Sequence, residues 1–153
     1  MAQDVDEGGE NERGDLAIRT LAMPADTNPS GDIFGGWVLA QMDLAAGIIA
    51  AQRARGRVAT VALDGMSFHR PVTVGDVVSC YAKVTRIGRT SMTVEVEAHV
   101  NRGRIGEEVK VTEGHFTMVA IDDNGRPRSV PDGRSMPNPQ PAPDPQSAPD
   151  GLT

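Results

Sequence analysis

The chain has 153 residues, a net charge of −6, a single cysteine and only 3% aromatic residues. That length suits one domain around one core, and a lone Cys80 rules out an internal disulfide and fits a reducing compartment. So few aromatics leave no stacking platform for nucleic acid.

In chain order, residues 1–15 come first, with six acids against Arg13 and a charge of −5. They are too polar to offset their ordering entropy and are expected to form an acidic disordered tail. They lack the basic-then-apolar pattern of a secretion signal, and no apolar run in the chain approaches ~20 residues, so a cytoplasmic protein with no membrane span is expected. A short strand follows over Leu16–Leu21, stopped by Pro24 and the Asp-Thr-Asn-Pro-Ser-Gly turn cluster. A helix then runs from about Gly36 to Arg53, with Gly56 marking its end. Val58–Phe68 reads as a long strand closed by Arg70-Pro71. Val77–Ile87 alternates Val78, Cys80, Ala82 and Val84 on one face. Met92 to Val100 alternates apolar residues with Thr93, Glu95, Glu97 and His99, and the Gly88-Arg89-Thr90 link before it fits an antiparallel hairpin. Val109–Ile121 is the last strand. Residues 132–153 carry three acids against Arg134, and six of the eleven prolines fall between Pro137 and Pro149. This stretch is expected to be a Pro-rich disordered tail leaning to polyproline II, leaving residues 16–131, at +1, as the folded domain.

The helix carries the chemical signal. Between Trp37 and Ala51 its only polar side chains are Gln41 and Asp43. A helix apolar nearly all round is expected to be buried, and an ionised carboxylate there must pair, take up a proton or do chemistry. Gly35 and Gly36 stand at the helix start, where the absence of Cβ lets a ligand reach free N–H groups and the positive dipole end. Gly36, Ala40, Asp43 and Gly47 fall on one line at spacings of three and four, a face open to a ligand or a partner backbone. An acid two turns from an anion-binding helix start points to acyl transfer or acyl binding.

One long helix followed by long antiparallel strands suggests an α+β hotdog fold, a curved sheet wrapped round a central helix; another α+β sandwich is the other fold considered. Three stretches carry a resemblance: Thr27-Asn28-Pro29-Ser30-Gly31-Asp32-Ile33-Phe34-Gly35-Gly36-Trp37 with Met42-Asp43, Gly56-Arg57-Val58, and Phe68-His69-Arg70-Pro71 running on to Gly75-Asp76. In this order and spacing they resemble the YciA-type acyl-CoA thioesterases of the hotdog acyl-CoA hydrolase family, from about Leu16 to Pro131. The resemblance implies hydrolysis of acyl-CoA to free CoA and a carboxylate. It places the catalytic acid on Asp43, as general base or as nucleophile. Backbone N–H groups around Gly35, Gly36 and Trp37 would stabilise the oxyanion. Asn28 matches an active-site Asn of related hydrolases, although an Asx-turn before Pro29 is an equal use for it. Thr60 lies where relatives place a Ser or Thr.

CoA phosphates require local positive charge, for which Arg57, Arg70, Arg86 and Arg89 are candidates. Gly88-Arg89-Thr90-Ser91 is the best-matched group. No metal is expected, because His69, His99 and His115 show no ligand spacing with Cys80, and no organic cofactor is expected either. The resemblance also implies a homo-oligomer, at least a dimer and more fully a trimer of dimers, since a lone sheet leaves an open edge. A non-enzymatic acyl-CoA-binding module is the alternative from another class. A hotdog hydratase is weaker still, since Ser30 and Gly31 stand where its His belongs.

Overall fold

The computed structural model describes residues 12–102 and 106–132. The strands are β1 (Asp15–Leu21), β2 (Val58–Phe68), β3 (Val77–Ile87), β4 (Ser91–Asn101) and β5 (Val109–Ala120), and helix α1 (Gly35–Ala54) lies between β1 and β2. All pairings are antiparallel, in the order β1-β3-β4-β5-β2. Helix α1 lies against this open sheet and touches all five strands, the hotdog arrangement that the sequence implied. No described helix is long and apolar enough to cross a membrane.

Alternation in the strands builds the core. Met92, Val94, Val96, Ala98 and Val100 turn inward from β4 and meet Val78, Cys80 and Ala82 of β3 and Phe116, Met118 and Ala120 of β5. From α1 they receive Val38, Met42, Ala45, Ala46, Ala50 and Ala54, all buried. The small alanines let the helix lie close to the sheet. Cys80 is fully buried, and burial pushes its thiol up to about 12, so it serves as a core residue and not as a nucleophile.

Two expectations need correction. The helix is not buried all round: Leu44 is 56% exposed and Ile48 40% exposed. Residues 12–15 do not belong to a tail, since β1 begins at Asp15 and Arg13 pairs with Glu108 at 2.9 Å; the remainder of both expected tails lies outside the described residues. The helix ends just before Gly56, as expected, with Arg55 in the left-handed conformation at φ 54°. Gly56 also leaves room for a cap. A Cβ there would sit 2.6 Å from Arg128 Nη2, which donates to the Ala54 carbonyl and caps the helix end.

The outer face of the sheet carries a polar network. The Tyr81 hydroxyl lies 2.9 and 2.8 Å from the two oxygens of Glu108. Arg13 lies over the Tyr81 ring at 3.8 Å, and Arg19 reaches Glu108 at 3.3 Å while donating to Ser79 Oγ at 2.8 Å. His99 stands edge-on to Tyr81, with ring centroids 5.3 Å apart.

Candidate active site

Asp43 lies in the middle of α1, half-buried among apolar neighbours. Thr60 of β2 donates its hydroxyl to Asp43 Oδ1 at 2.6 Å, while Met118 Sδ lies 3.3 Å from the same hydroxyl. Asp43 Oδ2 has no hydrogen bond among the described residues. The line seen in the sequence is real: a Cβ at Gly36 would meet nothing within 4 Å, Ala40 is exposed, and at Gly47 the nearest atom is Met118 Cε at 3.9 Å. One carboxylate oxygen therefore faces open space along a strip of small residues.

At the helix start, Asn28 Oδ1 accepts from the N–H groups of Ser30 at 2.9 Å and Asp32 at 3.1 Å, an Asx-turn. Gly31, at φ 83°, closes that loop, and Asn28 N–H donates to the Asp32 carbonyl at 2.7 Å. The turn fixes the approach to α1 and leaves the Asn28 Nδ2 donors without an acceptor among the described residues. Gly35 and Gly36 N–H likewise find none there. Trp37 departs from expectation: its N–H donates to the Phe34 carbonyl at 3.0 Å, and its side chain packs on the core. Its backbone N–H is therefore not available to an oxyanion.

The arginines separate. Arg57 is committed to the carbonyls of Asp122 and Asp123, at 3.3 and 3.2 Å, and fastens the turn after β5. The side chains of Arg86 and Arg89 are exposed and make no hydrogen bond or ion pair among the described residues. They flank the hairpin of Gly88, Thr90 and Ser91, where Gly88 N–H donates to the Ser91 carbonyl at 2.8 Å. A Cβ at Gly88 would lie 2.9 Å from Ser91 Oγ, so a side chain there would have to displace that hydroxyl. Thr60 stands opposite Met118, and Met118 opposite Met92, which places the hairpin two strands from Thr60, a lateral distance of about 10 Å. Arg70 lies elsewhere, at a pocket of about 340 Å³ beside Gly35. Phe68 and His69 line the same pocket and were missed as site residues. They stand next to Arg70 in the sequence, but a Phe that ends a strand reads as core. Among the described residues no group of three or more His, Cys, Asp or Glu could hold a metal.

A carboxylate held by one hydroxyl and an unobstructed helix start thus lie together on a hotdog sheet. Residues 30–107 match the model of the thioesterase superfamily. The acyl-CoA thioester hydrolase YciA of Escherichia coli is 52% identical over 122 residues, covering 78% of this chain and 92% of that one. A hexameric thioesterase from Yersinia pestis superposes with a TM-score of 0.75 at 52% identity, covering 78% of this chain and 98% of that one. A hexameric hotdog-fold thioesterase of Campylobacter jejuni gives a TM-score of 0.75 at 39% identity, with 79% and 93% covered. The chain belongs to the thioesterase superfamily and, within it, to the YciA-type hydrolases.

Proposed function

We propose that this chain hydrolyses acyl-CoA thioesters to free CoA and a carboxylate, with Asp43 as general base or nucleophile and Gly35 and Gly36 N–H as oxyanion donors. The observation that carries this reading is the Asp43 carboxylate, held through one oxygen at 2.6 Å and otherwise uncommitted. As a base it would take a proton from the water that attacks the carbonyl. As a nucleophile it would form a mixed anhydride, which water then opens. Either way the carbon–sulfur bond breaks and the CoA thiolate leaves and takes up a proton. The free Nδ2 donors of Asn28 suit the thioester oxygen or the water. The reaction needs no metal or organic cofactor, and we place it in the cytoplasm.

The spacing along the helix supports a further step. Seven residues separate Gly36 from Asp43, which is about 10 Å along the helix axis, and the free N–H groups point away from Asp43. Attack requires reacting atoms within about 3.5 Å. A carbonyl held at one helix start would be beyond the reach of the same chain's Asp43, which supports a site that combines the helix start of one copy with Asp43 and Thr60 of another. Strand β2 offers the means: it is an open edge of eleven residues, with Val61 59% exposed. Two β2 edges pairing about a twofold axis would give the dimer, and three dimers the hexamer. Arg86, Arg89, Thr90 and Ser91 would then take CoA phosphates at the Asp43 end, a distance that an extended pantetheine arm spans.

Thiol release from a panel of acyl-CoA esters, without added metal, tests the reading. Release is expected. Tight CoA binding without release from any ester would instead identify a binding module. Light scattering that finds only a 16.2 kDa monomer would remove the shared site.

A further inference from the structure

Resting on that reading, we infer that the pocket beside Gly35 takes the acyl chain of the substrate and that Phe68 is the residue that reads its length. A carbonyl held on the helix start has two substituents, the acyl chain and the pantetheine arm, and they leave it in different directions. The pocket opens directly beside Gly35, and its wall combines the apolar Ile33, Val38, Phe68, Pro71 and Val72 with His69 and Arg70. A Cβ built on Gly35 would touch the Phe68 ring at 3.6 Å, so that ring and the helix start form one continuous surface.

The apolar part of the wall decides which substituent enters, and several of the backbone groups around it are already paired. Ile33 N–H donates to the Val72 carbonyl at 3.2 Å, and His69 N–H donates to the Val111 carbonyl at 2.8 Å. Pro71 has no N–H, and its carbonyl already accepts from Arg102 at 2.7 Å. Pantetheine contains two amides, which the apolar side chains of Ile33, Val38, Phe68 and Val72 cannot pair, and burying unpaired amides is costly. An acyl chain asks for none and gains from each methylene it buries. A volume of about 340 Å³ is at the small end of ligand pockets, which suits short and medium chains. Phe68 is half-exposed in one chain, an apolar cost that a bound chain would relieve.

Phe68→Ala tests the inference through the dependence of kcat/KM on chain length. The expected result is a roughly tenfold loss for octanoyl-CoA with acetyl-CoA changed by less than about twofold, the scale of a few methylene contacts. Inhibition by free CoA should be unaltered. A uniform loss across acetyl-, butyryl- and octanoyl-CoA, or weakened inhibition by free CoA, would assign the pocket to the thiol arm and overturn the inference. Phe68→Leu serves if the alanine variant does not assemble, with the same pattern expected at smaller amplitude. A wild-type protein that releases no thiol from any ester would overturn the underlying reading, a result distinct from a misassigned pocket.

Discussion

Asp43 on the inner side of the sheet and Glu108 on the outer side are both carboxylates, and they are treated in opposite ways. Glu108 is saturated: Tyr81 lies within 2.9 Å of both its oxygens, Arg13 pairs at 2.9 Å and Arg19 at 3.3 Å. Asp43 has one partner, the Thr60 hydroxyl at 2.6 Å, and its second oxygen has none among the described residues. A carboxylate whose capacity is filled holds chain segments together, here the start of the chain and residues 106–108 against the sheet. A carboxylate left half-filled among apolar residues gains nothing for stability and is available to a ligand. Counting partners thus separates structural acid from reactive acid better than burial does, since both groups are half-buried.

The largest effect that sharpens this contrast should come from Asp43→Asn. The amide keeps the shape and can still accept from Thr60, but it supplies neither base nor nucleophile. A fall in kcat of roughly 100-fold or more is expected, with KM nearly unchanged. Folding stability should hold, because a neutral amide is easier to desolvate. A folded, assembled Asp43→Asn protein that kept most of its kcat would erase the distinction. Next in size is Thr60→Val, which retains volume and removes the single hydrogen bond. About a tenfold loss in kcat is expected, the scale of one hydrogen bond to a charged group, and Thr60→Ser should restore most of it. If valine and serine behaved alike in steady-state assays, Thr60 would not be positioning Asp43.

The sequence was most legible where one local pattern decided the outcome. Strict alternation located β4 to within a residue at each end, and the apolar run located α1 equally well. Asp43 stood out because it interrupts that run. Thr60 did not stand out on its own, since a Thr on a strand is commonplace, and only the family resemblance marked it. Leu44 and Ile48 misled because an apolar side chain has the same signature whether its own chain or another copy covers it. Trp37 misled because donor availability depends on whether the first turn closes on Phe34, which residue identities do not reveal. The Glu108 cluster was invisible for a different reason: it joins Arg13 to a residue 95 positions away, and Arg13 sits in a stretch whose composition reads as tail. Long-range polar contacts leave no periodicity to read.

The smallest predicted effect is on the Glu108 side and concerns stability alone. Burial by itself would raise the Glu108 carboxyl, but the hydrogen bond from Tyr81 and the Arg13 charge outweigh it and hold the group below its ordinary value. The stabilisation from a depressed carboxyl is complete above the unfolded value, near 4.5, and is lost as pH falls through the folded one. His99 acts earlier on the same axis. Burial lowers its imidazole, with Glu97 opposing, Arg13 adding to the lowering, Glu108 opposing and Lys110 again lowering. Its Nε2 lies 3.8 Å from Glu97, too far for a hydrogen bond. The unfolded chain therefore binds the His99 proton first, and stability starts to fall below the ordinary histidine value of 6.5. Glu108→Gln should cost about 1 kcal/mol at neutral pH, flatten the decline below pH ~4.5, and leave kcat and KM unchanged. Denaturant melts at pH 7, 5.5 and 4, at one protein concentration, check this. A Gln variant as stable as wild type at pH 7, or one that loses activity while folded, would mean that the two carboxylates do not divide the work between holding and reacting.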